Sequence, residues 1–322
     1  MPLRTFAFVH AISAEQLRPF QEALPDVEFL RPEGDGLPQG LERAQAAVIS
    51  WESPAIDDIL EAAPALEWIH QRGAGIDRIA TPRLLASRLL LTNGSGNHAP
   101  NIAEHVLGLM LAFARQLPLL VDQQREKRWK PPPARSLFEL SGQALAIVGF
   151  GAIGSAIGQR AAAFGMNVVG VRRSVTGPSR EGAARLVSMT GLDAVLAEAD
   201  HVVIAAPLTA ETRGLFSTER FAAMKPGAYL YNVGRGAIVD HEALRVALRE
   251  GRLAGAGLDV TEPEPLAADS PLWEEPNVIV TAHSSGLTPR SFERHRALLL
   301  DNLGRFARGE PLLNVVDVRR GY

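Results

Sequence analysis

Residues 145–164 read LAIVGFGAIGSAIGQRAAAF, and within them Gly149-Phe150-Gly151-Ala152-Ile153-Gly154 is a G-x-G-x-x-G turn. An apolar, β-type run from Leu145 to Val148 precedes the turn, and an alanine-rich, helix-forming run follows it. That order aims the unpaired N–H groups at the start of the helix at a pyrophosphate, which predicts dinucleotide binding. The chain has 29 glycines, so the motif alone is common and its strand–helix context carries the reading. A tight strand–helix turn with no ligand is the alternative.

Outward from this turn, apolar runs recur at Val168–Val171, Val202–Ala206, Tyr229–Asn232, Ala256–Leu258 and Val278–Val280, with helix-like segments between them. This is the alternation of a doubly wound parallel sheet. A second alternation occupies the N-terminal part, with β-type runs at Thr5–Val9, Val27–Leu30, Ala47–Ser50, Leu66–His70 and Leu89–Thr92. The Gly/Asn cluster at 93–97 (NGSGN) marks a break. Beyond it one long helix is predicted from about Asn101 to Arg125, with Ile102, His105, Val106, Leu109, Met110 and Phe113 on its apolar face. Lys130 to Pro133 (KPPP) reads as a stiff surface connection. An amphipathic helix is predicted over 289–308, with Phe292, Leu299, Leu303 and Phe306 on one face, and a further strand over 312–316.

Length and composition agree with two α/β domains. The chain has 322 residues, 46% of them hydrophobic and 21% charged, enough to bury two ordinary cores. Its 33 Lys and Arg against 36 Asp and Glu leave a net charge of −3 with no block of like charge, which speaks against a nucleic-acid groove or an anionic membrane patch. Cysteine is absent, so disulfides, thiolate nucleophiles and cysteine-ligated metals are excluded, and a reducing, cytoplasmic setting is expected. No metal site is expected. No signal-peptide pattern is read at the N-terminus, and Val106 to Ala114 is too short an apolar run to span a bilayer, so it reads as a buried helix.

The strand after the Gly-rich turn normally ends in an acid that binds the NAD ribose. Here it runs into Val171-Arg172-Arg173-Ser174, with no acidic residue between Met166 and Arg180. Two guanidiniums and a hydroxyl suit a 2′-phosphate, so NADPH is expected in preference to NADH. Two solvated arginines on an NAD enzyme are the alternative.

Ligands of open α/β sheets bind beyond the carboxyl ends of the strands. In the second half of the chain those ends carry Gly149, Pro207, Asn232 to Arg235, Asp259 and His283, so Arg235, Glu264 and His283 can share one site.

NVGRGAIVD (232–240), GLDVTEPEPL (257–266) and TAHSSG (281–286), together with GFGAIG, resemble the D-isomer-specific 2-hydroxyacid dehydrogenase family over essentially the whole chain. Within that family the Arg/Ser pattern at 172–174 is similar to the NADPH-dependent glyoxylate/hydroxypyruvate and 2-ketoacid reductases. The resemblance implies a Rossmann domain, residues 99–287, inserted into a flavodoxin-like substrate domain made of 1–98 and 288–322, with a connection suited to hinge closure. It places the family's Arg, Glu and His on Arg235, Glu264 and His283. A histidine suits a proton donor to a developing alkoxide, a carboxylate beside it fixes the ring and favours its charged form, and an arginine fork pairs with a substrate carboxylate. Glu262 is a rival by composition, and only the family motif selects Glu264.

On the cofactor side the resemblance points to Ala206, Pro207, Thr212, Asn232, Val233, Gly234, Asp259 and Ser285, with Asp259 either meeting the nicotinamide carboxamide or orienting the site. Thr209 and Thr212 have a helix-capping hydroxyl as their alternative. On the substrate side, Arg72, Gly73, Ala74 and Gly75 resemble the family's substrate loop, and their backbone N–H groups can form a small anion nest. Many relatives carry Asn where this chain has His98, which leaves His98 open between substrate contact and interdomain hydrogen bond. His105, on the apolar helix face, reads as structural. A small 2-keto or 2-hydroxy acid substrate and a homodimer are the implied partners. A dinucleotide-sensing protein like the corepressors of this fold is the rival from another class. Formate dehydrogenase, which pairs Gln with its His, and the zinc alcohol dehydrogenases, which need cysteine ligands, fit less well.

Overall fold

The strands are β1 (Thr5–Phe8), β2 (Glu28–Leu30), β3 (Ala46–Ile49), β4 (Trp68–Gln71), β5 (Leu90–Asn93), β6 (Ala144–Val148), β7 (Asn167–Arg172), β8 (Arg185–Ser188), β9 (His201–Ile204), β10 (Ala228–Asn232), β11 (Leu253–Leu258) and β12 (Val278–Val280), most of them short apolar runs. The helices are α1 (Ala14–Ala23), α2 (Ile56–Ala62), α3 (Pro82–Ala86), α4 (Ala99–Ala114), α5 (Leu117–Arg125), α6 (Ala152–Ala163), α7 (Leu192–Glu198), α8 (Thr218–Ala223), α9 (His241–Arg249) and α10 (Pro289–Arg308). The structure, a computed structural model, describes residues 3–34, 36–175 and 181–318. The chain divides into two units, one of Met1–Asn97 with Thr288–Tyr322 and the other of His98–Leu287.

The first unit is a parallel sheet in the order β2-β1-β3-β4-β5, the flavodoxin-like order. Period-two alternation along β1 feeds two cores. Phe6 and Phe8 join Trp68, Leu299 and Leu303 on one face, while Ala7 and Val9 join Ile49, Ile59 and Ile69 on the other. A sheet covered on both faces needs strands buried throughout, and all four residues of β1 are buried. The last helix, α10, starts on a capping box between Thr288 and Ser291 and stops at Gly309, whose φ of 67° suits glycine. Its Leu299, Leu303 and Phe306 pack toward Trp68, as the spacing predicts. Phe292 does not join them. It stays 43% exposed, with the Arg72 guanidinium 4.7 Å above its ring.

The second unit is a seven-stranded parallel sheet in the order β12-β11-β10-β9-β6-β7-β8. Counted from its own first strand, that is the dinucleotide-binding order extended by one strand, with the switch point between β6 and β9. The fold is therefore α/β, with two sheets built of parallel pairs.

Two expectations are corrected, and one strand was not foreseen. The helix predicted over 101–125 is two helices bent by 68°. Gln116 takes a left-handed φ of 54° and Pro118 sits in the first turn of α5, where its missing N–H is harmless; inside one continuous helix its ring would clash with the preceding turn. The strand expected over 312–316 is a single antiparallel bridge between Thr92 and Val315. Edge strand β8 was not foreseen, because Arg185–Ser188 is only partly buried and lacks an apolar run. Among the described residues no single helix is long and apolar enough to cross a membrane, and ten of the sixteen residues of α4 are buried in the protein.

Candidate active site

The turn after β6 uses its glycines in three ways. Gly149 has φ +97°, and a Cβ there would lie 2.3 Å from Ala206 N at the end of β9. At Gly154 a Cβ would meet Gly149 O at 2.6 Å, so the start of α6 lies tight on the strand. A Cβ at Gly151 would meet nothing within 4 Å and would project into open space at the helix N-terminus, where Ala152 and Ile153 contribute first-turn N–H groups. Close packing at two glycines and an open third is the cradle a pyrophosphate needs, so these residues fit a dinucleotide. Phe150 serves the fold instead. Its N–H goes to Val171 O at 3.1 Å, and its ring is 2% exposed beneath Gly170.

Arg172 ends β7 and donates to Val175 O at 3.2 Å, while the exposed Arg173 lies 3.6 Å from Glu211, an acid the sequence reading did not bring to this edge. Ser174 is exposed beside them. The acid-free stretch continues into 176–180, which lies outside the described residues. At the end of β9, Ala206 is buried against Gly149 and Pro207 is exposed. Thr212 donates to Pro207 O at 2.7 Å and accepts from Thr209 N at 2.8 Å, so its hydroxyl closes a turn within this loop and does not cap a helix.

At the end of β10 the side chain of Asn232 folds the next turn over itself. Its Oδ1 accepts from Gly234 N at 3.1 Å and its Nδ2 donates to Arg235 O at 2.9 Å. Val233 N bonds Ile204 O. Arg235 is half-buried and donates from Nη1 to Gly234 O at 2.9 Å. A Cβ at Gly236 would stand 2.0 Å from Thr261 O, so the Arg235 turn presses directly on the segment that leads to Glu264.

His283 Nδ1 lies 2.6 Å from Glu264 Oε1, with the ring 47% exposed and the carboxylate 24%. Glu264, and not Glu262, stands against the imidazole. His283 has φ 49°, unusual for a residue with a Cβ, and its N–H is held by Asp259 O at 2.9 Å and Thr281 O at 3.0 Å. Asp259 is 1% exposed and organises this segment. Its carboxylate accepts from Thr281 Oγ1 at 2.6 Å, Ser284 N at 3.0 Å, Ser285 N at 3.2 Å and Ser285 Oγ at 2.5 Å. Those are the contacts of an orienting residue.

His98 lies with Nδ1 2.9 Å from Gly286 O, a contact inside its own unit. Asn101 and His105, which sequence reasoning did not place at the site, bond Ser285 O and Thr281 Oγ1. Their spacing, Asn101 three residues after His98 and His105 four after Asn101, was the available signal.

The first unit positions the remaining predicted residues at the carboxyl end of β4. Gly73 O accepts from Gly94 N at 3.0 Å and Ala74 O from Asn93 Nδ2 at 2.7 Å, which ties the 73–75 loop back on its carbonyl side. Gly75 follows, half-buried. Burial lowers the pKa of the Arg72 guanidinium, with the Glu52 charge opposing. His10 is pushed down to about 4 by burial first and the Arg72 charge second.

Residues 107–285 match the family model for the D-isomer specific 2-hydroxyacid dehydrogenase NAD binding domain. The chain is 35% identical over 294 residues to a D-3-phosphoglycerate dehydrogenase of Mycobacterium bovis, covering 90% of this chain and 54% of that one. It is 34% identical over 278 residues to a glyoxylate reductase of Korarchaeum cryptofilum, covering 84% and 82%. The chain thus spans about half the length of the phosphoglycerate dehydrogenase it matches. Among solved structures it is similar to a D-isomer specific 2-hydroxyacid dehydrogenase from Xanthobacter autotrophicus in complex with NADPH and MES, with TM-score 0.86, 32% identity and full coverage of both chains. With the model spanning more than half of its length, the chain belongs to the D-isomer specific 2-hydroxyacid dehydrogenase family.

Proposed function

We propose that the protein reduces a small 2-keto acid, of the glyoxylate or hydroxypyruvate class, to the D-2-hydroxy acid with NADPH. The observation that carries this reading is the 2.6 Å pair of His283 Nδ1 and Glu264 Oε1. A carboxylate only accepts, so Nδ1 donates to it, and Nε2 is the nitrogen left to face a substrate oxygen. The bound nicotinamide cofactor supplies the hydride. His283 delivers a proton from Nε2 to the 2-keto oxygen as negative charge develops there, and Glu264 stabilises the imidazolium before transfer and fixes the ring. Arg235, steadied by Asn232, pairs its guanidinium with the substrate carboxylate. Within the first unit, Arg72 and the 73–75 loop offer backbone N–H groups and a half-buried cation that suit an anion, and in the second unit His98 is assigned to substrate contact.

The NADPH preference is supported by Arg172, Arg173 and Ser174 at the end of β7 and by the NADPH in the Xanthobacter relative. Ala206, Pro207, Thr212, Val233 and Ser285 are assigned to the cofactor side, and Asp259 to orienting the site. A homodimer through the α4–α5 region belongs to the same reading, supported by Leu117, Leu119 and Val121, which α5 leaves exposed. His283→Ala tests the chemistry. Turnover is expected to vanish while NADPH binding, followed by its fluorescence, is kept; retained turnover would remove His283 from its role.

A further inference from the structure

One face of α4 grips the segment that carries His283. His98 meets Gly286 O, Asn101 donates to Ser285 O at 2.7 Å, and His105 Nε2 lies 3.1 Å from Thr281 Oγ1. All of these residues belong to the same unit. Residues three and four apart on a helix share a face, so one side of α4 meets three successive points of the segment.

At His105 the direction of the bond can be assigned. The Thr281 hydroxyl has a single proton, which it donates to Asp259 Oδ1 at 2.6 Å. Thr281 Oγ1 must therefore accept from the ring, and His105 Nε2 carries a hydrogen. His105 Nε2 also lies 3.7 Å from Asp259 Oδ1. Asp259 in turn holds Ser284 and Ser285 with its carboxylate and His283 N with its backbone carbonyl. The chain of bonds runs from His105 through Thr281 to Asp259 and ends on the residue whose backbone fixes His283.

We propose that His105 is a positioning residue for the His283 imidazole, acting through Thr281 and Asp259; the proposal rests on the reading of His283 as proton donor. The left-handed backbone at His283 is strained and persists only where its surroundings enforce it. Without the His105 donor, one side of that enforcement is lost. The imidazole then relaxes away from its reactive placement, and a shift on the order of 1 Å is enough to lower a rate about a hundredfold. His105 has no part in the proton transfer itself.

The test compares His105→Leu with His105→Gln in the full chain, because a glutamine amide restores an N–H donor of similar reach. His105→Leu is expected to lower kcat about tenfold or more, with KM for NADPH changed by less than about twofold, and His105→Gln to recover most of the loss. Imidazole ¹⁵N–¹H correlation spectra are expected to show the His283 signals displaced in the leucine variant and restored in the glutamine variant. A leucine variant with unaltered kcat and unmoved His283 signals would overturn the proposal. So would equal impairment of both variants with a lowered melting temperature, which would make His105 a packing residue. If the unaltered chain reduces no 2-keto acid, the functional reading fails separately, and the His283 spectra alone decide whether His105 positions that ring.

Discussion

His283 Nδ1 stands 2.6 Å from Glu264 Oε1, on a backbone that Asp259 holds in the left-handed region. The pairing commits one ring nitrogen to the protein and leaves the other for chemistry. It also separates two acids that composition cannot tell apart. Glu264→Gln is expected to lower kcat about tenfold to a hundredfold with NADPH affinity kept, because the amide keeps an acceptor but loses the charge that favours imidazolium. Glu262→Gln should stay near the unaltered rate. Steady-state kinetics of the two variants check this, and a larger loss at Glu262 would reverse the assignment.

The proposed preference for NADPH rests on the end of β7. Replacing Arg172 and Arg173 with Ala is expected to raise KM for NADPH about tenfold or more and to leave KM for NADH within about twofold, since in the proposed reading the guanidiniums meet a 2′-phosphate that NADH lacks. Equal effects on both cofactors would make them ordinary surface arginines. Arg173 already has Glu211 at 3.6 Å, so Glu211→Gln should tighten NADPH slightly.

The glycines of the phosphate turn should separate stability from binding. Gly149→Ala places a methyl against the Ala206 backbone at positive φ and is expected to cost about 2–4 kcal/mol, seen as a drop in Tm. Gly151→Ala meets nothing in the protein, so Tm should hold while the NADPH Kd rises roughly tenfold or more. Calorimetry and fluorescence titration on both variants decide the matter, and a Gly151→Ala variant with unchanged Kd would contradict the cradle.

Both sheets were legible because parallel strands covered on two faces need continuous apolar runs, and β1, β3, β6 and β9 have them. Strand β8 was hidden because a half-exposed edge needs no such run. The bend at Gln116 was readable in Pro118 but was outweighed by the apolar periodicity on either side. At the site, spacing showed only that Arg235, Glu264 and His283 end neighbouring strands or loops, and the choice of Glu264 over Glu262 came from the family motif. The brace from α4 was missed because a histidine on an apolar helix face reads as core until its partner, Thr281, is known.

Three buried histidines predict acid sensitivity. Burial lowers His10, His70 and His201 from the ordinary value of 6.5 to about 4. The unfolded chain therefore takes up these protons at higher pH than the folded one. Their stabilising effect is complete above about pH 6.5 and is lost as pH falls toward 4, on the order of 3 kcal/mol for each fully shifted group. Tm should hold from pH 8 to 7 and drop by more than about 10 °C by pH 4.5. A flat Tm across that window would show that the three rings are not buried neutral.

Initial rates of NADPH and NADH oxidation by the purified protein across 2-keto acids from glyoxylate to phenylpyruvate decide whether the proposed reduction takes place. Turnover is expected, with strong preference for NADPH and the best rates among the smallest acids. Binding of either cofactor with no turnover on any acid would contradict it.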